Sequence, residues 1–263
     1  MSVDTKYTRQ TVLSVQAWTP GKLFSLCTTR DPGFVFAPGQ FARLGLSAEG
    51  TPDAKPTLWR AYSMVSAPHE TGLLEFYSIV VPDGEFSPRL AELRPGDALY
   101  VDKTPFGFLT LDRFGDGDDL WLIATGTGLS AFLSMLRDPS AKRSYKRVFM
   151  VHGVRQAAEL AYRDEIAALR AAWANEVGAA DLIYVPVATR EALPGVPQAR
   201  LTTLLADGGL EALAGATLDP ATSRMMLCGN PAMLADARKL LATRGFAPGR
   251  RGIPGNLAVE NYW

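Results

Sequence analysis

The spacing of the apolar residues changes once along the chain, and that change limits the possible folds more than any single motif. Up to about residue 114 the apolar positions fall in short alternating runs: QTVLSVQAWTP, LFSLCTT, GQFARLGL, LWRAYSMVS, LLEFYSIVV and ALYVDKT. Residues two apart on a strand share a face, so such runs read as half-buried strands. Pro, Gly, Asp and Ser separate them, and six short strands at this spacing predict an N-terminal antiparallel β-barrel. One helix-like segment, SPRLAELRPG, interrupts the series. There Ser87 is placed to cap the N-terminus, Pro88 suits the first turn, and Pro95-Gly96 stop the helix.

The polar, glycine-containing stretch at residues 112–119 has no apolar period and reads as a linker. Beyond it, buried-type runs alternate with helical ones. LWLIAT, RVFMVHGV, DLIYVPVAT and RMMLCGN read as strands, and LSAFLSMLRD, LAYRDEIAALRAAWAN, RLTTLLADGG and PAMLADARKLLATRG as helices. That order predicts a C-terminal α/β domain with a parallel, Rossmann-like sheet covered on both faces. The expected domains are 1–114 and 115–263.

Charge and composition exclude several functions. Lys+Arg and Asp+Glu are both 27, so nothing global favours nucleic acid or an acidic membrane surface. No apolar run approaches the ~20 residues a spanning helix needs. The N-terminal MSVDTKYTRQ lacks the apolar core of a secretion signal, so a cytoplasmic protein is expected. Two cysteines, Cys27 and Cys228, and two histidines are too few and too scattered for a structural zinc site or an iron–sulfur cluster.

Several short motifs carry chemistry. Arg60-Ala61-Tyr62-Ser63 puts a cation, a flat aromatic face and a hydroxyl on one strand, a set suited to a bulky anionic cofactor. GEFSPRL sets a loop before a helix start, where free backbone N–H groups favour an anion. Gly126-Thr127-Gly128 follows a strand and opens a helix, the place of a dinucleotide pyrophosphate in open α/β sheets. Arg155, Arg190 and Arg200 lie just after strands or at a helix start, and an arginine fork there suits phosphate. Cys228-Gly229-Asn230-Pro231 closes a buried strand. His152 reads as a core or strand-end residue with no assigned role. Two terminal aromatics, Tyr262 and Trp263, would be an apolar liability in solvent, so they are expected to cover something.

In this order, RAYS, PDGEFSPRL, ATGTG, CGNP and the terminal tryptophan resemble the bacterial ferredoxin (flavodoxin)–NADP+ reductase family along the whole chain. The resemblance implies an FAD-binding barrel, an NADP(H)-binding domain and the flavin between them. By it, Arg60 holds a flavin phosphate, Tyr62 packs on the isoalloxazine and Ser63 faces flavin N5. Ala61, Tyr77, Ser78, Ile79, Glu85, Phe86 and Ser87 add FAD contacts. Thr127 belongs to the nucleotide turn, Val154 and Arg155 lie near the ribose-pyrophosphate, and Thr189, Arg190 and Arg200 take the 2′-phosphate. Cys228 sits beside the nicotinamide as a positioning group, and Glu260 is the candidate to accept or relay a proton. Tyr262 is assigned to the isoalloxazine and Trp263 to the adenine.

The implied partner is an acidic ferredoxin and/or flavodoxin, with the reductase a monomer. Two basic runs are candidate docking faces: Lys142, Arg143, Lys146 and Arg147, or Arg244, Arg250 and Arg251. Two other readings stay open at this stage. One is a reductase component for an oxygenase or cytochrome, although the cysteine count excludes an appended iron–sulfur domain. The other is a flavin redox sensor without turnover.

Overall fold

The structure is a computed structural model and describes residues 6–47, 55–250 and 253–261. All six expected strands of the first part form: β1 (Tyr7–Thr19), β2 (Leu23–Thr29), β3 (Phe41–Leu46), β4 (Leu58–Ser63), β5 (Leu73–Ile79) and, after helix α1 (Ser87–Ala91), β6 (Ala98–Asp102). They make one antiparallel sheet in the order β4-β3-β6-β1-β2-β5. Its two outer strands meet where Met64 bridges Phe76 and the Val65 N–H donates to Glu75 O at 2.8 Å, which curls the sheet toward a barrel. Alternate residues such as Leu26, Leu44, Leu74, Phe76, Leu99 and Val101 point inward and are almost fully buried. Each such side chain contributes about 1.5–3 kcal/mol relative to exposure.

Helix α1 differs from the expectation. Phe86 occupies the N-cap position, and no side chain caps the helix. The Ser87 hydroxyl instead accepts the Val81 N–H at 2.9 Å and closes the loop before the helix. The helix ends at Ala91, short of Pro95-Gly96, because it exists to bury Phe86 and Leu90 in the barrel core.

The second part holds β7 (Asp119–Thr125), α2 (Leu129–Arg137), α3 (Pro139–Ser144), β8 (Arg147–Val154), α4 (Arg163–Ala174), β9 (Asp181–Ala188), α5 (Leu201–Asp207), α6 (Gly209–Ala214), β10 (Ser223–Cys228), α7 (Pro231–Thr243) and β11 (Leu257–Glu260). The sheet is parallel, in the order β11-β10-β7-β8-β9. Alternation along β7 shows why two helical layers are required: Leu120, Leu122 and Ala124 pack on α2, whereas Trp121 and Ile123 pack on α5 and α7. The sequence pattern missed α3, α6 and the outer strand β11. It also began α4 too early, since Tyr162 adopts φ 58° and the helix cannot propagate back through it.

The two sheets share a core, with Leu23, Val65, Tyr77 and Leu109 of the first packed against α2 of the second. Polar bonds fix the contact. Arg137, at the end of α2, bonds Glu75 of β5 at 2.7 Å and Glu165 of α4 at 2.7 and 2.9 Å. The Ser134 hydroxyl donates to Ser66 O at 2.7 Å, and the Tyr162 hydroxyl to Glu75 at 2.8 Å. Removing one member of a largely buried ion pair leaves the other uncompensated. Arg137→Ala is therefore expected to cost about 3 kcal/mol in urea unfolding. Lys146→Ala, which breaks the exposed bridge to Asp118, should cost less than about 1 kcal/mol.

Candidate active site

The end of β4 opens into a cleft of about 420 Å³ lined by Arg60, Ala61, Tyr62 and Ser63. Tyr77, Ser78 and Ile79 form one wall and Glu85, Phe86 and Ser87 another. The far side comes from the α/β part, with Thr127, Gly128, Ser130 and Gly229. Tyr62 packs on Phe86 with ring centroids 5.7 Å apart. Burial pushes its phenol up, and the Ser78 hydroxyl partly offsets that shift. Tyr77 is buried more deeply, and burial, with the Glu159 charge adding to it, holds its phenol protonated well above the ordinary range. The Tyr77 hydroxyl has no partner among the described residues. Arg60 stays exposed at the mouth, donating once to Trp59 O at 2.8 Å.

A second cleft, of about 490 Å³, lies at the carboxyl ends of the parallel strands. Thr125, Gly126 and Thr127 line it from the end of β7, Val154 and Arg155 from the end of β8, and Thr189 from the end of β9. Ladder bonds continue past the strand ends, with Thr189 N–H to Val154 O at 3.0 Å and Arg190 N–H to Arg155 O at 2.9 Å. The following loop returns through Ala199 N–H to Ala188 O at 2.9 Å, which places Arg200 at the start of α5 and on the cleft wall. Arg190 is exposed beside this cleft but is not one of its lining residues. Ile79 and Thr127 line both clefts, so the two meet between the sheets.

The wall between them needs two glycines. A Cβ on Gly128 would stand 2.5 Å from Cys228 O. Gly229 has φ 138°, and a Cβ there would stand 2.1 Å from the Thr125 hydroxyl oxygen. That hydroxyl accepts the Asn230 N–H at 2.8 Å, while the Asn230 side chain caps α7 through Ala232 and Met233. Cys228 is fully buried, and burial, with the nearby Glu260 charge adding to it, pushes the thiol well above its usual range. A thiol so held is a poor nucleophile. Glu260 pairs in register with Cys228, and its Oε1 accepts the Phe108 N–H at 3.3 Å. It belongs to neither cleft lining.

The amino-acid sequence shows corresponding relationships. A profile described as oxidoreductase FAD-binding domain matches residues 22–110, and one described as oxidoreductase NAD-binding domain matches residues 122–239. The chain is 45% identical to ferredoxin–NADP reductase A of Sorangium cellulosum, covering 97% of this chain and 89% of that protein. It is 38% identical to the flavodoxin/ferredoxin–NADP reductase of Escherichia coli, covering 96% and 97%. The chain belongs to the ferredoxin–NADP reductase family. A solved ferredoxin NADP+ reductase from Neisseria gonorrhoeae, with bound FAD and NADP, superposes with a TM-score of 0.89 at 34% identity, over 99% of this chain and all of that one.

Within this family member, most of the residues expected from the sequence converge on the two clefts. Tyr262, Trp263 and Arg251 lie outside the described residues. Most described members of the two basic runs pair with acids. Lys142 and Arg143 pair with Glu176, Lys146 with Asp118 and Arg147 with Asp119, while Arg244 bonds both oxygens of Glu211 at 2.9 Å. The partner acids lie far away in sequence, and Arg143, Lys146 and Arg250 stay exposed. Sequence reasoning also missed Thr125, which pins Asn230, and Glu159, a buried acid on the second cleft. Neither lies in a periodic pattern that marks it.

His152 holds the Gly126–Gly128 turn from beneath. It is fully buried, and its Nε2 lies 3.1 Å from Gly126 O, so the neutral ring donates there. Burial lowers its pKa from 6.5 to about 4, with the Gly126 bond opposing the shift. A pKa lowered on folding means the unfolded chain takes up the proton first. The stability tied to neutral His152 is therefore present above pH 6.5 and lost as pH falls toward 4. In urea titrations across that window the protein should lose stability more steeply than His152→Gln, by up to about 1.4 kcal/mol per pH unit.

Proposed function

We propose that this chain carries electrons between NADPH and a one-electron carrier, a ferredoxin or flavodoxin, through bound FAD. The observation that carries this reading is the contact of the two clefts at Ile79 and Thr127, which would bring two flat cofactors together between the sheets. The division falls at residues 114 and 115, with FAD on the first domain and NADP(H) on the second. The residues fit such ligands. The first cleft offers an exposed guanidinium, an aromatic face and a buried hydroxyl, and the second offers Arg155 and Arg200 where strand ends favour phosphate.

When bound, the flavin supplies the conversion between a two-electron hydride donor and a one-electron acceptor. The protein positions it and excludes water. Arg60 holds a phosphate by charge-assisted bonds, with Ala61 beside it. Tyr62, backed by Phe86, presents a ring face, and Ser63 offers its hydroxyl to the reacting edge. Tyr77, Ser78, Ile79 and Glu85 line the cofactor, while Ser87 shapes the loop that meets it. Thr127 and Val154 contact the dinucleotide beside Arg155. Cys228 sets the spacing at the nicotinamide, and Glu260, held against the Phe108 N–H, is the group to hold a proton at that edge. The carrier is acidic and meets a monomer. Its docking point is the exposed ring of Phe108, over which Arg113 lies at 5.8 Å from the centroid.

Heat release and chromatography should recover FAD from the purified protein. FMN alone would remove the phosphate role of the Glu85–Ser87 segment. Steady-state kinetics test the second cleft. A charge-assisted bond contributes about 1.5–3 kcal/mol, so two arginines on the 2′-phosphate give an NADPH preference of roughly 10²–10⁴. Arg200→Ala should lower kcat/KM for NADPH more than Arg190→Ala does, and both should leave NADH nearly untouched. Equal losses for both nucleotides would mean a general folding role.

A further inference from the structure

Glu159 has no part in the reading above, yet it is a buried carboxylate on the wall of the second cleft. Its oxygens serve two domains. Oε2 accepts the Arg155 backbone N–H at 3.1 Å, and Oε1 lies 3.5 Å from Arg155 Nε. Oε1 also accepts from the ammonium of Lys22, which comes from the barrel. The same segment is seated on the barrel's β1–β2 hairpin: the Thr19 hydroxyl donates to Ala158 O at 3.3 Å, and Trp18 packs 4.6 Å from Tyr162. An acid at this point repels an anionic ligand unless a cation offsets it. Arg155 alone would have to neutralise Glu159 and bind phosphate with the same guanidinium. Lys22 supplies the second cation.

We propose that Lys22 and Glu159 form a positioning pair for the dinucleotide. Glu159 holds Arg155 through its backbone N–H and Nε, and Lys22 takes up the Glu159 charge. The remaining guanidinium donors of Arg155 are thereby left for a phosphate of NADP(H). The barrel thus acts on this cleft through Lys22, which bonds the lining residue Glu159. This inference rests on the second cleft being the NADP(H) site.

The test is titration of FAD-replete protein with NADP+, followed by flavin absorption. Lys22→Met should weaken NADP+ binding about tenfold, raising KM for NADPH with kcat little changed. Adding Glu159→Gln should recover most of that loss, because it removes the uncompensated charge. Lys22→Arg, which keeps a cation, should bind like the parent protein. Unchanged binding in Lys22→Met would overturn the pair. So would a double variant as weak as Lys22→Met, or an equal loss in Lys22→Arg, since each would reduce the bridge to domain packing. If the parent protein itself shows no response to NADP+, the cleft assignment fails, and the pair with it.

Discussion

One guanidinium at the end of α2 fixes the relation on which the site depends. Arg137 is shared between Glu75 of the barrel and Glu165 of α4, with Glu70 at 3.8 Å. Burial alone would make it easier to deprotonate, but the surrounding carboxylates outweigh that and hold it charged. Such a cation cannot leave its partners cheaply. The other end of α2 is the Gly126–Gly128 turn, and the face between is buried along its length. A helix tied at one end to the barrel therefore sets how far the Gly126–Gly128 turn stands from Ser63 and Tyr77.

Close approach completes the arrangement. The turn after β7 and the turn after β10 touch backbone to backbone, and only glycine at 128 and 229 leaves room for that. Thr125 and Asn230 then lock the two turns by a single hydrogen bond. Cys228 fills the space behind them as a buried thiol, flanked by Glu260 on the outer strand. Residues from β4 and β5 and from the ends of β7, β8 and β9 thus line one continuous pair of clefts.

The arginines fall into two groups. Arg60, Arg155 and Arg200 are exposed on cleft walls. By contrast, Arg137, Arg147 and Arg244 donate directly to carboxylates. A run of basic letters therefore says little about a surface until the acids folded against it are known. The same holds for Glu159, whose charge matters because Lys22 arrives from another domain.

Local chemistry made much of this protein legible in its sequence. Period two before residue 114 and alternating strand and helix patterns after it specify an antiparallel barrel and a parallel sheet, because burial on one face or two leaves different marks. RAYS, GTG and CGNP were readable through their resemblance to the family, and residues of each line the two clefts. Tertiary structure alone decided the rest. The outer strand β11 is too short to show a period, Ser87 turned from a helix cap to a loop tie, and Tyr162 adopted a left-handed backbone. Contacts between residues far apart in sequence, such as Lys22 with Glu159 and Thr125 with Asn230, leave no local pattern, since neither partner's neighbours record the other's position.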